Sequence, residues 1–323
     1  MLRIHFTADD LARTRIMRGA DVMWETVLSL QLLQSHDGAV VFDRWRRQVR
    51  GRLGRWVSPL ITIAPYAEYF PDFLTPSESG PGLEGGLDKV LSTPRTRLRE
   101  ELQVLGTYRR LPSWIGRLAA GDIEVIKLLE KALRAYHASV IAPGWPSVQA
   151  SVGADRARRV HALAEGGCEG LLNSFRPVMR WNPPVLEADY PVRQDFVLGG
   201  RGLLLVPGYF CWRTPVTLLD PELPPVLVYP IAGECRAPHG SPEHPDDESL
   251  VRLLGRTRAA VLRAVESGGT TTEISRRAGT SVASASQHAT VLREAGLIGT
   301  RRDGAAVQHT LTPLGEATLV RYL

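Results

Sequence analysis

Cysteine is scarce in this chain: three in 323 residues, at positions 168, 211 and 235. Far apart and odd in number, they make neither a disulfide framework nor a closely spaced metal knuckle. Long apolar runs are missing as well. No uninterrupted stretch approaches the ~20 residues that cross a bilayer as a helix. The opening, MLRIHFTADD, has no basic segment followed by an apolar run, so it does not read as a secretory signal. Internal repeats and low-complexity tracts are also lacking, which sets aside solenoids and biased linkers. The expectation is a cytoplasmic protein with no membrane partner.

What is present is ordinary in bulk and uneven in placement. Hydrophobic residues make up 44% and charged residues 23%, the balance of a globular protein long enough for two domains. The net charge is +5. From Ser249 onward stand ten arginines against five acidic residues, which leaves +5 there and zero across 1–248. A module that binds a polyanion needs that asymmetry, although drift in a small arginine-rich domain produces it too.

Residues 1–175 read mainly as helix after a short strand at LRIHF. Thr7 and Asp10 have capping-box spacing, predicting a helix through about Met17. DVMWETVLSLQLLQ and VVFDRWRRQVRGRL continue in helical style. In GDIEVIKLLEKALRAYHASV, Ile123, Ile126, Leu129, Leu133 and Tyr136 keep to one side. Thirteen of the 23 prolines then fall between Pro177 and Pro245, which excludes long helices. DFVL-GGRG-LLLV predicts a hairpin and PPVLVYPI another strand. The proline-rich, acidic stretch 236–249 reads as the boundary. The predicted organisation is an α+β domain over 1–240 with helices first and β-hairpins late, a linker at 241–249, and a second domain over 250–323.

In that last domain LVRLLGRTRAAVLRAVE predicts one helix with Leu250, Leu253, Leu254, Val261, Leu262 and Val265 along a stripe. Thr270 and Glu273 open a second helix, and Gly279 supplies the turn after it. Ser281 caps a third, running to about Ala295. On it Ala285, Ala289, Val291 and Leu292 gather on one side. Ala283, Gln287 and Thr290 lie nearly opposite, with Ser284 and Ser286 at the flanks. Two helices joined by a short glycine turn, the second with a small polar outer face, are the helix-turn-helix pattern. Small residues let such a helix enter a major groove, where Gln287 can pair bidentately with an adenine edge. Ser281 and the free N–H groups beside it suit a phosphate oxygen. His288 admits two readings, a packing role or a phosphate contact. LIGTRR and AAVQHTLT meet at Asp303-Gly304, a two-residue turn signal, so a hairpin follows with Arg301 and Arg302 at its tip.

The segment GTSVASASQHATVLREAGLI resembles the ArsR/SmtB-like winged-helix transcription regulators, through Ser281, His288, Leu292, Arg293, Ala295, Gly296 and Leu297. Ala285 departs from it; the usual second serine falls at Ser286 instead. LTPLGEA resembles the end of that family's domain. The likeness spans about residues 250–320. It implies a winged helix-turn-helix domain binding double-stranded DNA, and a homodimer on a roughly palindromic operator with half-sites about one helical turn apart. The family's metal sensors carry cysteines around the second helix. TTTEISRRAG has none, so no metal and no cofactor are expected. Val282 and Ala283 stand where polar residues are usual, which predicts modest base readout and more reliance on phosphates and groove shape.

Three explanations compete for the first 240 residues. One is dimerisation and sensing, with a pocket for a small apolar molecule among Phe196, Leu203–Val206, Tyr209–Trp212 and Val226–Tyr229. These segments also make an ordinary core. Another is an enzyme fused to a DNA-binding module. Gly166-Gly167-Cys168-Glu169-Gly170 fits a cysteine nucleophile elbow with His161 nearby, but the elbow needs a preceding strand and RARRVHALAE looks helical. The last is an architectural arm. Arg44, Arg46, Arg47, Arg50, Arg52 and Arg55 interleave with Trp45 and Trp56, which suits a phosphate backbone or a solvated helix face. The expectation is a regulator, not an enzyme, and a repressor by analogy alone.

Overall fold

The computed structural model describes residues 1–66, 69–76, 82–236, 247–266, 268–303 and 306–322; the side chains of 40, 247–249, 252, 302, 303, 306 and 320–322 fall outside that description. The chain is α+β and divides into two compact units, 1–240 and 241–323. Most of the expected linker and the turn at Gly304 lie outside the described residues.

In the first unit the helices are α1 (Ala8–Arg13), α2 (Val22–Gln34), α3 (Ala39–Arg50), α4 (Ser58–Ile63), α5 (Gly82–Leu91), α6 (Arg95–Tyr108), α7 (Trp114–Ala119), α8 (Ile123–Tyr136) and α9 (Trp145–Asn173). The strands are β1 (Leu2–His5), β2 (Arg15–Ile16), β3 (Met179–Asn182), β4 (Val185–Ala188), β5 (Gln194–Val197), β6 (Leu204–Gly208), β7 (Val216–Thr217) and β8 (Val226–Pro230).

The Thr7–Asp10 capping box forms, with Asp10 accepting from the Thr7 amide at 2.8 Å. The helix nevertheless stops at Arg13, short of the predicted Met17, because Arg15 and Ile16 pair with Leu204 and Leu205. Asp21 caps α2 through the amides of Met23 and Trp24. That helix is buried nearly all round, so it forms the middle of a core rather than one wall. On α8 the buried stripe is Val125, Leu129, Ala132, Leu133 and Tyr136. The predicted Ile123 is 64% exposed, since it stands in the first turn and projects past the core.

Two four-stranded sheets follow, in the orders β3-β4-β1-β5 and β2-β6-β8-β7. β3 and β4 form a hairpin, with Asn182 opposite Val185. The predicted DFVL/LLLV hairpin does not form. β5 runs parallel to β1 in one sheet, and β6 runs parallel to β2 and β8 in the other. Gly199, Gly200 and Gly202, all with positive φ, carry the chain between the sheets. Gly202 donates to Asp10 at 2.9 Å, and a Cβ there would lie 2.6 Å from Arg13, so this loop is packed onto α1. The second sheet serves two cores. Val206, Val226 and Val228 enter the helical core, while Leu205, Leu227 and Tyr229 face a core shared with α9 and the first sheet. Burial on both faces explains why β8 is an unbroken apolar run.

The second unit holds α10 (Asp247–Leu254), α11 (Arg256–Ala264), α12 (Thr271–Arg277), α13 (Val282–Glu294) and α14 (Pro313–Tyr322), with β9 (Gly269–Thr270), β10 (Ile298–Asp303) and β11 (Ala306–Leu311) in the order β10-β11-β9. The predicted single helix over 250–266 is two, broken at Gly255, whose φ of +82° is incompatible with helix. Leu253 is consequently 61% exposed, whereas Leu250, Val261, Leu262 and Val265 stay in the core. α10 also begins at Asp247, inside the expected linker.

Candidate nucleic-acid interface

The geometry at 270–311 is set by local chemistry. Thr270 and Glu273 close a reciprocal box: Glu273 accepts from the Thr270 amide at 2.8 Å, and Thr270 Oγ1 accepts from the Glu273 amide at 3.3 Å. The Thr270 amide and hydroxyl, both donating to the carboxylate, hold the Glu273 carboxyl below its ordinary range. α12 drops Ile274 into the core and ends at Gly279, which takes a φ of +62°. Ser281 then caps α13, its hydroxyl oxygen accepting from the Ser284 amide at 3.2 Å.

α13 packs Ala285, Ala289 and Leu292 inward against α11 and α12. Ala283, Ser286 and Gln287 are exposed on the other side; Ser284 and Thr290 are half-buried. Thr290 donates its hydroxyl to the Ser286 carbonyl at 3.1 Å and so keeps only acceptor capacity outward. Val291, expected inward, is 38% exposed, because Leu292 already fills the core position beside it. His288 sits half-buried at the border, with Nδ1 enclosed and without a partner among the described residues.

β10 and β11 pair antiparallel from Ile298–Leu311 to Asp303–Ala306. Arg301 stands opposite Gln308 and is exposed; Arg302 shares the strand, and its side chain is outside the described set. One residue here escaped sequence reasoning. His309, 5% exposed, bridges Thr300 through Nδ1 and Thr271 through Nε2, each at 3.0 Å. It ties the hairpin to the start of α12, and burial together with the Arg293 charge pulls its pKa below the usual imidazole value. A polar residue in an otherwise alternating strand is the only sequence signal it carried.

The candidates of the first unit are scattered. Cys168 follows a kink at Gly166–Gly167 inside α9, with no strand before it, and its thiol donates to the Leu11 carbonyl at 2.9 Å. Burial pushes that thiol up, away from nucleophilic character. His161 is exposed and pairs with Glu165 at 3.2 Å. Of the arginine group, Arg46 is a core strut, 2% exposed, donating to the carbonyls of Leu32 and Asp37 and to Asp43. It cannot contact a polyanion. Arg44, Arg47, Arg50, Arg52 and Arg55 are exposed, while Trp45 is buried and Trp56 half-buried. Of the predicted pocket strands, Phe196, Leu203, Leu205 and Val226–Tyr229 are core; only Phe210, Cys211 and Trp212 border a cavity.

Among the described residues no three histidine, cysteine or acidic side chains converge as metal ligands, and no helix is long and apolar enough to cross a membrane. No protein-family model matches the sequence, and no curated protein or solved structure matches it.

Proposed function

We propose that the chain is a DNA-binding transcription regulator whose second unit is a winged helix-turn-helix. In this reading α13 enters the major groove and the β10–β11 hairpin is the wing. The observation that carries it is a conjunction: a serine-capped helix presenting Ala283, Ser286 and Gln287, packed beside a hairpin bearing exposed Arg301. The ten arginines against five acidic residues from Ser249 onward support it. Ser281, Ser284 and Thr290 border the groove-facing surface, with His288 at its core edge and Arg302 beside Arg301 on the wing.

By the family resemblance the protein acts as a homodimer on a palindromic operator and represses by occluding a promoter. The first unit then supplies dimerisation or sensing. The test is fluorescence anisotropy of the full chain and of fragments 1–245 and 246–323, against its own upstream DNA and random DNA across a salt series. Weak binding by 246–323 and much tighter, promoter-preferring binding by the full chain supports the reading. If neither prefers DNA, the second unit is an interaction fold and the reading fails.

A further inference from the structure

The first unit contains, among its described residues, a pocket of about 320 Å³, large enough for a small organic molecule. It opens between α2 and the segment after β6. Its walls are aromatic and aliphatic: Phe70, Tyr190, Phe210 and Trp212 with Leu28 and Leu32 among them. A smaller cavity of about 60 Å³ shares Phe70, Tyr190, Val192 and Val216.

The charge lining the main pocket is of one sign. Among the described residues Asp37 is its only acidic side chain, and no lysine or arginine lines it. The Asp37 carboxylate accepts from the Tyr66 hydroxyl, also a lining residue. The Arg46 guanidinium donates to the Asp37 backbone carbonyl but gives its ionic bond to Asp43 at 2.7 Å. A carboxylate without an ionic partner among the described residues, set among aromatic faces, is the complement of a positive group with an apolar body.

The same aromatic cluster already holds one cation. The Arg236 guanidinium lies 5.1 Å from the Trp212 ring, 5.3 Å from Phe42 and 5.5 Å from Tyr209. Trp212 thus belongs both to this cage and to the pocket wall, and Arg236 is the last described residue before 237–246.

We propose that this pocket binds an organic monocation, an amine or quaternary ammonium on a compact apolar body, seated between Asp37 and the aromatic walls. Its role as an effector site rests on the regulator reading above. Occupancy bears on Arg236 through the shared Trp212, so the ligand acts where the chain leaves the first unit.

The test is calorimetric titration of the full chain, without DNA, with phenyltrimethylammonium, its uncharged isostere tert-butylbenzene, and benzoate. The cation should bind saturably and about tenfold or more tighter than the isostere, with benzoate weakest. Asp37→Asn should erase the preference and leave tert-butylbenzene binding and the thermal midpoint in place. Val192→Lys, at a wall position 41% exposed, should oppose the cation without touching the core and serves if the first variant is unstable. Equal or tighter binding of the isostere, or a preference that survives both substitutions, overturns the proposal. DNA binding by the ligand-free chain is scored separately. Intact DNA binding without cation preference overturns the pocket alone; cation preference in a chain indifferent to DNA sustains the pocket and overturns the regulator reading.

Discussion

At the scale of single residues, Gln287 and Arg301 separate specificity from affinity. Gln287 is the one long amide on the exposed face of α13. Gln287→Ala should cost about 1–3 kcal/mol on preferred sites and much less on random DNA. Arg301→Ala should weaken both and lower the salt slope by about one. Equal loss on every sequence from Gln287→Ala removes it from base readout. Buried titrating groups make a second, opposed pair. Burial raises Glu25 to about 7, against the amides of Phe210 and Tyr209 and the Arg236 charge; Asp72 rises to about 6, again through burial. A raised carboxyl stabilises fully below its unfolded value near 4.5 and loses that contribution as pH rises through 7. His309 runs the other way. With its folded pKa depressed, its contribution is present above the unfolded value near 6.5 and is lost as pH falls through the folded one. Between about pH 5 and 7, rising pH should therefore lower the melting of the first unit and raise that of the second. Half-buried His137, also depressed by burial, offsets part of the first slope. Glu25→Gln should flatten the first trend and His309→Asn the second, read by calorimetry across pH.

At the scale of elements, what was legible was what is local. The capping boxes at Thr7–Asp10 and Thr270–Glu273 and the Ser281 cap each depend on residues within a turn of one another. The pairing of β5 and β6 was not legible, because a glycine-rich connection permits a hairpin and a sheet change alike. Asp10, 192 residues away from Gly202, decides between them. Gly255 was similarly silent: a lone glycine in an apolar-periodic run is tolerated in helices, and here it breaks one. No side chain approaches a Cβ built there, so strain alone is at stake. Gly255→Ala should destabilise the second unit by about 1 kcal/mol or more, measured by urea denaturation of the full chain. An unchanged midpoint would mean that the backbone relaxes into one continuous helix. Of the pocket only the Phe210–Trp212 wall was legible; Leu28, Asp37, Tyr66 and Tyr190 join it only through the tertiary fold.

At the scale of the whole molecule, the first unit is held by long closures. β1 pairs with residues 185–188 and 194–197, and β2 with 204–205. Helices and strands are separated along the chain, yet neither set completes a core without the other. A chain ending at residue 223, with α1–α9 as described but no β8, should show no cooperative unfolding, whereas one ending at 236 should. A cooperative transition in the shorter chain, followed by far-ultraviolet circular dichroism, would show the helical core to be self-sufficient.

The double duty of β8 also sets a clock. Val226 and Val228 close one core and Leu227 and Tyr229 the other, so neither is sealed until that strand has left the ribosome. The nascent chain, its helices finished by Asn173, must keep the apolar α2 and the unpaired β1 from straying while roughly fifty more residues are made. Strand β1 and helix α2 are therefore the segments a chaperone would meet first, and the protein's yield in a cell depends on elongation through the proline-rich stretch before Val226.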